Sequence, residues 1–308
     1  MLISIDVGFS GTKFCSERSG ELVCGLIPTA VAQPSTSGIR GVGVEQQFIQ
    51  FADGTALAVG DDAFDSAHQV ENQSLAWLIE MMPALVITAI LKAGFLSNQI
   101  DRLAVGLPIQ FWKDSAAEVK ARLANISLAT GNYTYDVLVY AQGAGAFYYY
   151  LQSMSPPANA SGLLIDVGGN TVQVLGFRKL KIKASFCKQY NHLGMLVPAK
   201  ILAQKICADH ITSMSTIKAM KVLSSGTFSM DNDYKALSQQ LIEDHMRLLA
   251  NTLEADFGDQ MAELQHVVLA GGGAYHLAKH LPSAWHQKTL IFRDPEYANA
   301  IGYYLQSK

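Results

Sequence analysis

The tetrapeptide Ile5-Asp6-Val7-Gly8 returns as Ile165-Asp166-Val167-Gly168, 160 positions later (165 − 5), about half the 308-residue chain. Both copies end an apolar run, Leu2 to Ile5 and Leu163 to Ile165, and both lead into small polar residues and a second alternating segment. That order predicts strand, tight turn, strand. The turns are Gly8-Phe9-Ser10-Gly11 in one copy and Gly168-Gly169-Asn170-Thr171 in the other. Two halves that each open on a hairpin imply a duplicated α/β domain with a cleft between the copies, and the length suits about two domains.

A Pro- and Ser-rich break at Ser153 to Asn159 separates a first lobe, 1–158, from a second, 159–293. A small inserted subdomain is expected at about 32–75, because Ala32 to Gly60 is rich in Gly, Ser and Gln with short β-like pieces such as Gln47 to Phe51. The second lobe should carry a helical subdomain at about 194–260, with Leu237, Leu241, Met246, Leu249 and Leu253 on one apolar face. Asp294-Pro295 reads as an N-cap with Pro at the first helical position. It starts a last helix through Tyr304, and 294–308 should pack back on the first lobe. Leu75 to Ala93 is the most apolar stretch, but Glu80, Pro83 and Lys92 interrupt it, which predicts a buried core helix. The N-terminus has no basic region and meets Asp6 early, unlike a signal peptide.

A net charge of −3 supplies no basic field, so neither direct nucleic-acid binding nor membrane attachment is expected. Charged residues make up 16%, below the roughly 25% of an average soluble domain. Either subunit contacts cover part of the surface or the α/β core is simply apolar. Cys15, Cys24, Cys187 and Cys207 form no CxxC pair and read as reduced thiols of a cytosolic protein.

Phosphate binding calls for glycine, because a residue without Cβ lets backbone N–H groups close around oxygens. No GxxxxGK[ST] occurs, and Gly143-Ala144-Gly145 has Tyr148 where a dinucleotide fingerprint wants Gly or Ala, so it reads as a helix start. Two hairpins facing each other could do the work of one P-loop. Asp6 and Asp166 would then meet near a magnesium ion and act through its water shell. Lys13, on the return strand, could neutralise phosphate charge, and Gln173 stands at the equivalent place in the second copy. Each feature has a plainer reading: a turn-capping Asp, a solvated Lys, or a strand-to-helix turn at Gly271-Gly272-Gly273. His276 and His280 lack a third metal ligand, and Tyr148 to Tyr150 and Tyr303-Tyr304 suit core packing better than base stacking.

Together these segments resemble the actin-like ATPase superfamily, with its duplicated, ribonuclease H-like fold. Within it they are most similar to the bacterial plasmid-segregation actins of the ParM/StbA kind. Leu2 to Lys13 looks like the first phosphate motif, Gly162 to Val174 the second, Val267 to Ala274 the adenosine motif, and Asp294 to Gly302 the closing segment. The resemblance implies ATP or ADP with Mg2+, bound by Gly8, Phe9, Ser10, Gly11, Thr12, Lys13, Gly168, Gly169, Asn170, Thr171, Gly271, Gly272 and Gly273. It makes Asp6, Asp166 and Gln142 catalytic, with Gln142 in Val139 to Gly143 orienting the lytic water. Gln142 could instead cap the following helix. The resemblance further implies a cytoplasmic filament that partitions DNA through a DNA-bound adaptor. The superfamily also holds non-polymerising pilus-type scaffolds and small-molecule kinases.

Overall fold

The computed structural model describes residues 1–34, 47–64, 74–210, 212–229 and 232–308. Their contacts divide into two compact units: Met1–Ala141 with Tyr303–Lys308, and Gln142–Gly302.

The first unit carries β1 (Leu2–Val7), β2 (Gly11–Arg18), β3 (Glu21–Pro28), β4 (Arg102–Leu107) and β5 (Asp136–Ala141), in the sheet order β5-β4-β1-β2-β3. β1 to β3 form an antiparallel meander, and β4 and β5 run parallel to β1. Ile3 to Val7 are buried without alternation, as a central strand covered on both faces requires. Against it packs α1 (Leu75–Lys92), started by Ser74, whose side chain accepts from the Trp77 amide at 3.2 Å. Among the described residues α1 is the one helix long and apolar enough to cross a membrane, yet ten of its 18 residues are buried in this core. Each such large side chain contributes about 1.5–3 kcal/mol of burial. The expected core helix is present. A further helix, α2 (Ile109–Ala124), packs against β5.

Within the expected insertion, short strands at 31–32, 56–59 and 49–50 form an antiparallel three-stranded sheet in that order. The parts of that insertion at 35–46 and 65–73 lie outside the described residues.

The second unit carries β6 (Gly162–Val167), β7 (Thr171–Arg178), β8 (Lys181–Asn191), β9 (His266–Ala270) and β10 (Thr289–Ile291), ordered β8-β7-β6-β9-β10. Strand for strand this repeats the first sheet: antiparallel meander on one side, parallel strands on the other. The four-residue sequence repeat therefore marks a repeated topology. α3 (Ala144–Met154) counts with this unit, so the contact division falls at 141/142 whereas composition drew the line at 158/159. The cause is aromatic: Phe147 and Tyr150 of α3 lie 5.1 and 5.5 Å from the Phe177 ring of β7. Burial pushes the Tyr150 hydroxyl up to about 12. The helical part comprises α4 (Leu196–His210), α5 (Thr216–Ser225) and α6 (Lys235–Phe257). Met246, Leu249 and Leu253 are fully buried, while Leu237 and Leu241 are partly so.

Two expectations need correction. Asp294 makes no side-chain cap, and Pro295–Tyr297 wind as a 3-10 turn before α7 (Ala298–Ser307) begins. The Pro295 carbonyl accepts from Ala298 and also from Gly271 (2.8 Å), which suits the tighter winding. From Tyr303 onward the chain counts with the first unit, where Tyr303 stacks on Tyr140 at 5.4 Å and Tyr304 donates to Glu17 at 3.2 Å.

The cysteines are not all reduced thiols. Cys15 and Cys24 are joined in a disulfide, with Cα atoms 4.1 Å apart, and Cys187 and Cys207 are free. The reason lies in the hairpin: Ser19 and Gly20, both at positive φ, turn β2 into β3 and set residue 15 opposite residue 24. A nine-residue spacing means nothing along the chain and direct contact across this ladder.

Candidate functional site

In the first unit, Val7 pairs with Thr12 and Asp6 with Lys13, and the Gly8 amide closes the turn on the Gly11 carbonyl at 3.2 Å. The Gly8 carbonyl points the other way and accepts from Thr29 Oγ1 at 2.6 Å. Thr29 in turn meets the Thr12 hydroxyl at 3.0 Å, and both threonines are wholly buried. Lys13 folds back over the turn: a methyl group on Gly8 would come within 3.4 Å of its ammonium. Among the described residues, the Phe9 and Ser10 amides have no acceptor.

The second unit repeats the register with Val167 opposite Val172 and Asp166 opposite Gln173, so Gln173 does occupy the place of Lys13. The Gly168 amide donates to the Thr171 carbonyl at 3.0 Å. Here the turn carbonyls meet a helix start. Met195 N–H reaches Gly168 O (3.0 Å), Leu196 N–H reaches Gly169 O (2.8 Å), and Gly194 N–H reaches Asn170 O (3.4 Å). Leu196 is the first residue of α4 and Met195 flanks it, so neither amide has a partner inside the helix, and Gly194 precedes both. The approach admits only glycine at 194, because a Cβ there would lie 2.1 Å from the Gly169 carbonyl oxygen. His245 of α6 braces the same segment, its Nε2 2.9 Å from the Leu193 carbonyl. Burial lowers its pKa below the ordinary 6.5, opposed by hydrogen bonds to the Leu193 and Gly194 backbone. The Gly169 and Asn170 amides likewise have no acceptor among the described residues.

The glycine triplet after β9 divides by role. Gly271 sits at φ +81°, and a Cβ on it would lie 2.4 Å from Asp166 Oδ1. One on Gly273 would lie 2.4 Å from Val167 Cγ1. Both are demanded by packing against the end of β6. Gly272 faces open space within 4 Å. Packing therefore explains two of the three glycines, and the third is where a ligand could approach.

Behind Asp166 lies a buried amide network. Gln173 Nε2 donates to Gln142 Oε1 at 2.9 Å. Asn299 Nδ2 donates to Asp166 Oδ2 at 2.7 Å, while Asn299 Oδ1 accepts from the Gly143 and Ala146 amides at 2.8 and 3.2 Å. Gln142, Asp166, Gln173 and Asn299 are each at most 8% exposed. The capping oxygen of α3 thus comes from Asn299, the role that sequence reasoning had offered Gln142 as its plainer alternative. Asn299 itself escaped notice. Its signal was available: an amide residue between Ala298 and Ala300 in the apolar first turn of a helix, where it becomes buried.

Among the described residues no group of three or more His, Cys, Asp or Glu is placed to hold a metal directly. Among the described residues His276 and His280 have no third ligand. Burial, then the nearby Lys279 and His280, lower the His276 pKa. Asp6 and Asp166 each lie near the end of a central strand beside a glycine turn, one in each unit.

The family model described as the actin-like proteins' N-terminal domain matches residues 4–145, and that of the archaeal actin homologue MreB-like C-terminal domain matches 164–283. No curated protein sequence matches the chain. Solved structures agree in fold across nearly the whole length. A non-polymerisable quadruple mutant of pCBH ParM is 19% identical at TM-score 0.78, covering 99% of this chain and 98% of that one. The archaeal actin homologue Ta0583 in complex with ADP is 18% identical at TM-score 0.77, with the same coverage. A ParM from a 15-stranded Clostridium botulinum filament is 17% identical at TM-score 0.74, covering 98% and 97%. With two matching actin-like models in succession, two sheets of identical strand order and structural likeness from end to end, this chain belongs to the actin-like proteins.

Proposed function

We propose that the chain binds and hydrolyses ATP with magnesium and assembles into cytoplasmic filaments that partition DNA through a DNA-bound adaptor. The observation that carries this reading is the pair of glycine turns in the same register. Their carbonyls are engaged from behind, and the amides of Phe9, Ser10, Gly169 and Asn170 remain as donors. Such donors suit phosphate oxygens. Lys13 supplies the cation, and Thr12, Gly11 and Thr171 shape the turns. Asp6 and Asp166 would hold the hydrated magnesium, which neutralises developing phosphate charge. Gln142, fixed by Gln173, orients the attacking water. The open face at Gly272 admits the nucleoside. The ADP held by Ta0583 and the filament formed by the clostridial ParM support nucleotide and self-association as the ligands to try first. In a reducing compartment Cys15 and Cys24 would stand as neighbouring thiols on the same ladder.

Fluorescent ATP titration, phosphate release and sedimentation with ATP and magnesium test the reading on one preparation. Gln142→Ala should bind ATP almost as the parent does and hydrolyse it about 10- to 1000-fold more slowly, roughly 1.4–4 kcal/mol in the barrier. Weaker binding with unchanged turnover per bound ATP would make Gln142 structural. Binding and hydrolysis without pelleting would make the chain a non-polymerising scaffold.

A further inference from the structure

The Asn299 side chain bonds to Asp166 and to the start of α3, and capping explains half of this arrangement. A cap needs an acceptor, and Asn299 Oδ1 serves that purpose for Gly143 and Ala146. The amide orientation is then fixed, since Oδ1 must face those two N–H groups. Nδ2 is left to donate to Asp166 Oδ2 at 2.7 Å, a charge-assisted bond in a site where Asn299 is 5% and Asp166 7% exposed. One planar group therefore ties the Asp166 carboxylate to the residue following Gln142. Gln142 is in turn fixed from its other side by Gln173.

We propose that Asn299 is a positioning residue for hydrolysis, holding Asp166 and Gln142 in one fixed relation through its two amide atoms. The proposal rests on the ATPase reading above. A neutral amide suits the place chemically. It satisfies one carboxylate oxygen without cancelling the charge that a hydrated cation needs, as lysine or arginine would. It also leaves the carboxylate one defined orientation, and misplacement by about 1 Å can cost roughly a hundredfold in rate.

Asn299→Asp separates the two roles, because it keeps an oxygen for the Gly143 and Ala146 amides and exchanges the donor for a like charge. Turnover per bound nucleotide should fall at least tenfold, about 1.4 kcal/mol, with the dissociation constant for a non-hydrolysable ATP analogue changed less than threefold. Asn299→Ala, which adds no charge, is measured alongside in case the aspartate variant folds poorly. Normalising to bound nucleotide removes any unfolded fraction, so a purely capping role would leave turnover per bound ATP at the parent value. That result in either variant overturns the proposal. The exchange Asp166→Asn with Asn299→Asp should unfold like the parent yet remain inactive, since the hydrogen bond returns while the carboxylate has moved. Recovery of turnover in the exchange would also overturn it. A parent that binds no nucleotide, or binds without hydrolysing, defeats the ATPase reading itself and this inference with it.

Discussion

Behind the first turn stands a side chain. Thr29 holds the Gly8 carbonyl and the Thr12 hydroxyl, and Lys13 lies over the front. Behind the second stands a helix, with consecutive amides from Gly194 to Leu196 taking the carbonyls of Asn170, Gly168 and Gly169. The pairing register is identical, so the hairpins are copies, and their supports have diverged. One copy kept a cation opposite its aspartate. The other placed Gln173 there and joined it to Gln142. The first turn therefore has an ammonium where the second has a buried pair of amides.

The largest expected effect falls where backbone meets backbone. Gly194→Ala puts a Cβ 2.1 Å from the Gly169 carbonyl oxygen and 2.5 Å from its carbon, so turn or helix must move. The loss should be about 2–4 kcal/mol by urea unfolding, at the upper end for overpacking. Gly8→Ala meets only the Gly11 carbonyl at 3.0 Å and the flexible Lys13 terminus at 3.4 Å, and should lose well under half as much. Equal losses would mean that the two supports do not differ in stiffness.

Thr29→Val comes next. It preserves shape while removing the hydroxyl that serves both Gly8 O and Thr12 Oγ1. Two buried polar groups lose a partner, at about 1–3 kcal/mol in total. If the threonine pair braces the first turn, ATP affinity should weaken in this variant beyond what the unfolded fraction explains. Unchanged stability would show that the Gly8 carbonyl finds another donor.

Much of this fold was legible because it rests on local signals. The repeated Ile-Asp-Val-Gly located both central strands, the glycine turns set the register, and that register made Gln173 the counterpart of Lys13. The buried helix 75–92 followed from apolarity interrupted by Glu80, Pro83 and Lys92. What escaped depends on residues brought together across the chain. Asn299 reaches Asp166 from 133 positions away, and His245 reaches Leu193 from 52. Neither distance leaves a periodicity to read. Cys15 and Cys24 are the instructive case, since Ser19-Gly20 between two strands sufficed to place them opposite each other. Their spacing fits no metal or redox motif, and the hairpin alone brings them together.

The smallest effect concerns acidity and separates the two supports by a property only one possesses. The first turn is braced by threonines, which do not titrate in this range, whereas the second depends on a segment held by buried His245. Its folded pKa lies below 6.5, so above that pH both folded and unfolded chains carry it neutral and stability is complete. Below 6.5 the unfolded chain takes up a proton that the native state refuses, and stability falls with pH until the folded pKa is reached. The slope per such group is at most about 1.4 kcal/mol per pH unit. His266 and His276 are lowered in the same direction by burial, so the parent slope sums several groups. His245→Gln keeps an N–H for the Leu193 carbonyl and should stay within about 1 kcal/mol of the parent at pH 7.5. Between pH 7.5 and 5.5 it should lose less stability than the parent, while Thr29→Val should lose as much. Parallel urea titrations of the three proteins at both pH values decide it. Equal acid losses in parent and His245→Gln would mean that the brace behind the second turn does not sense protonation.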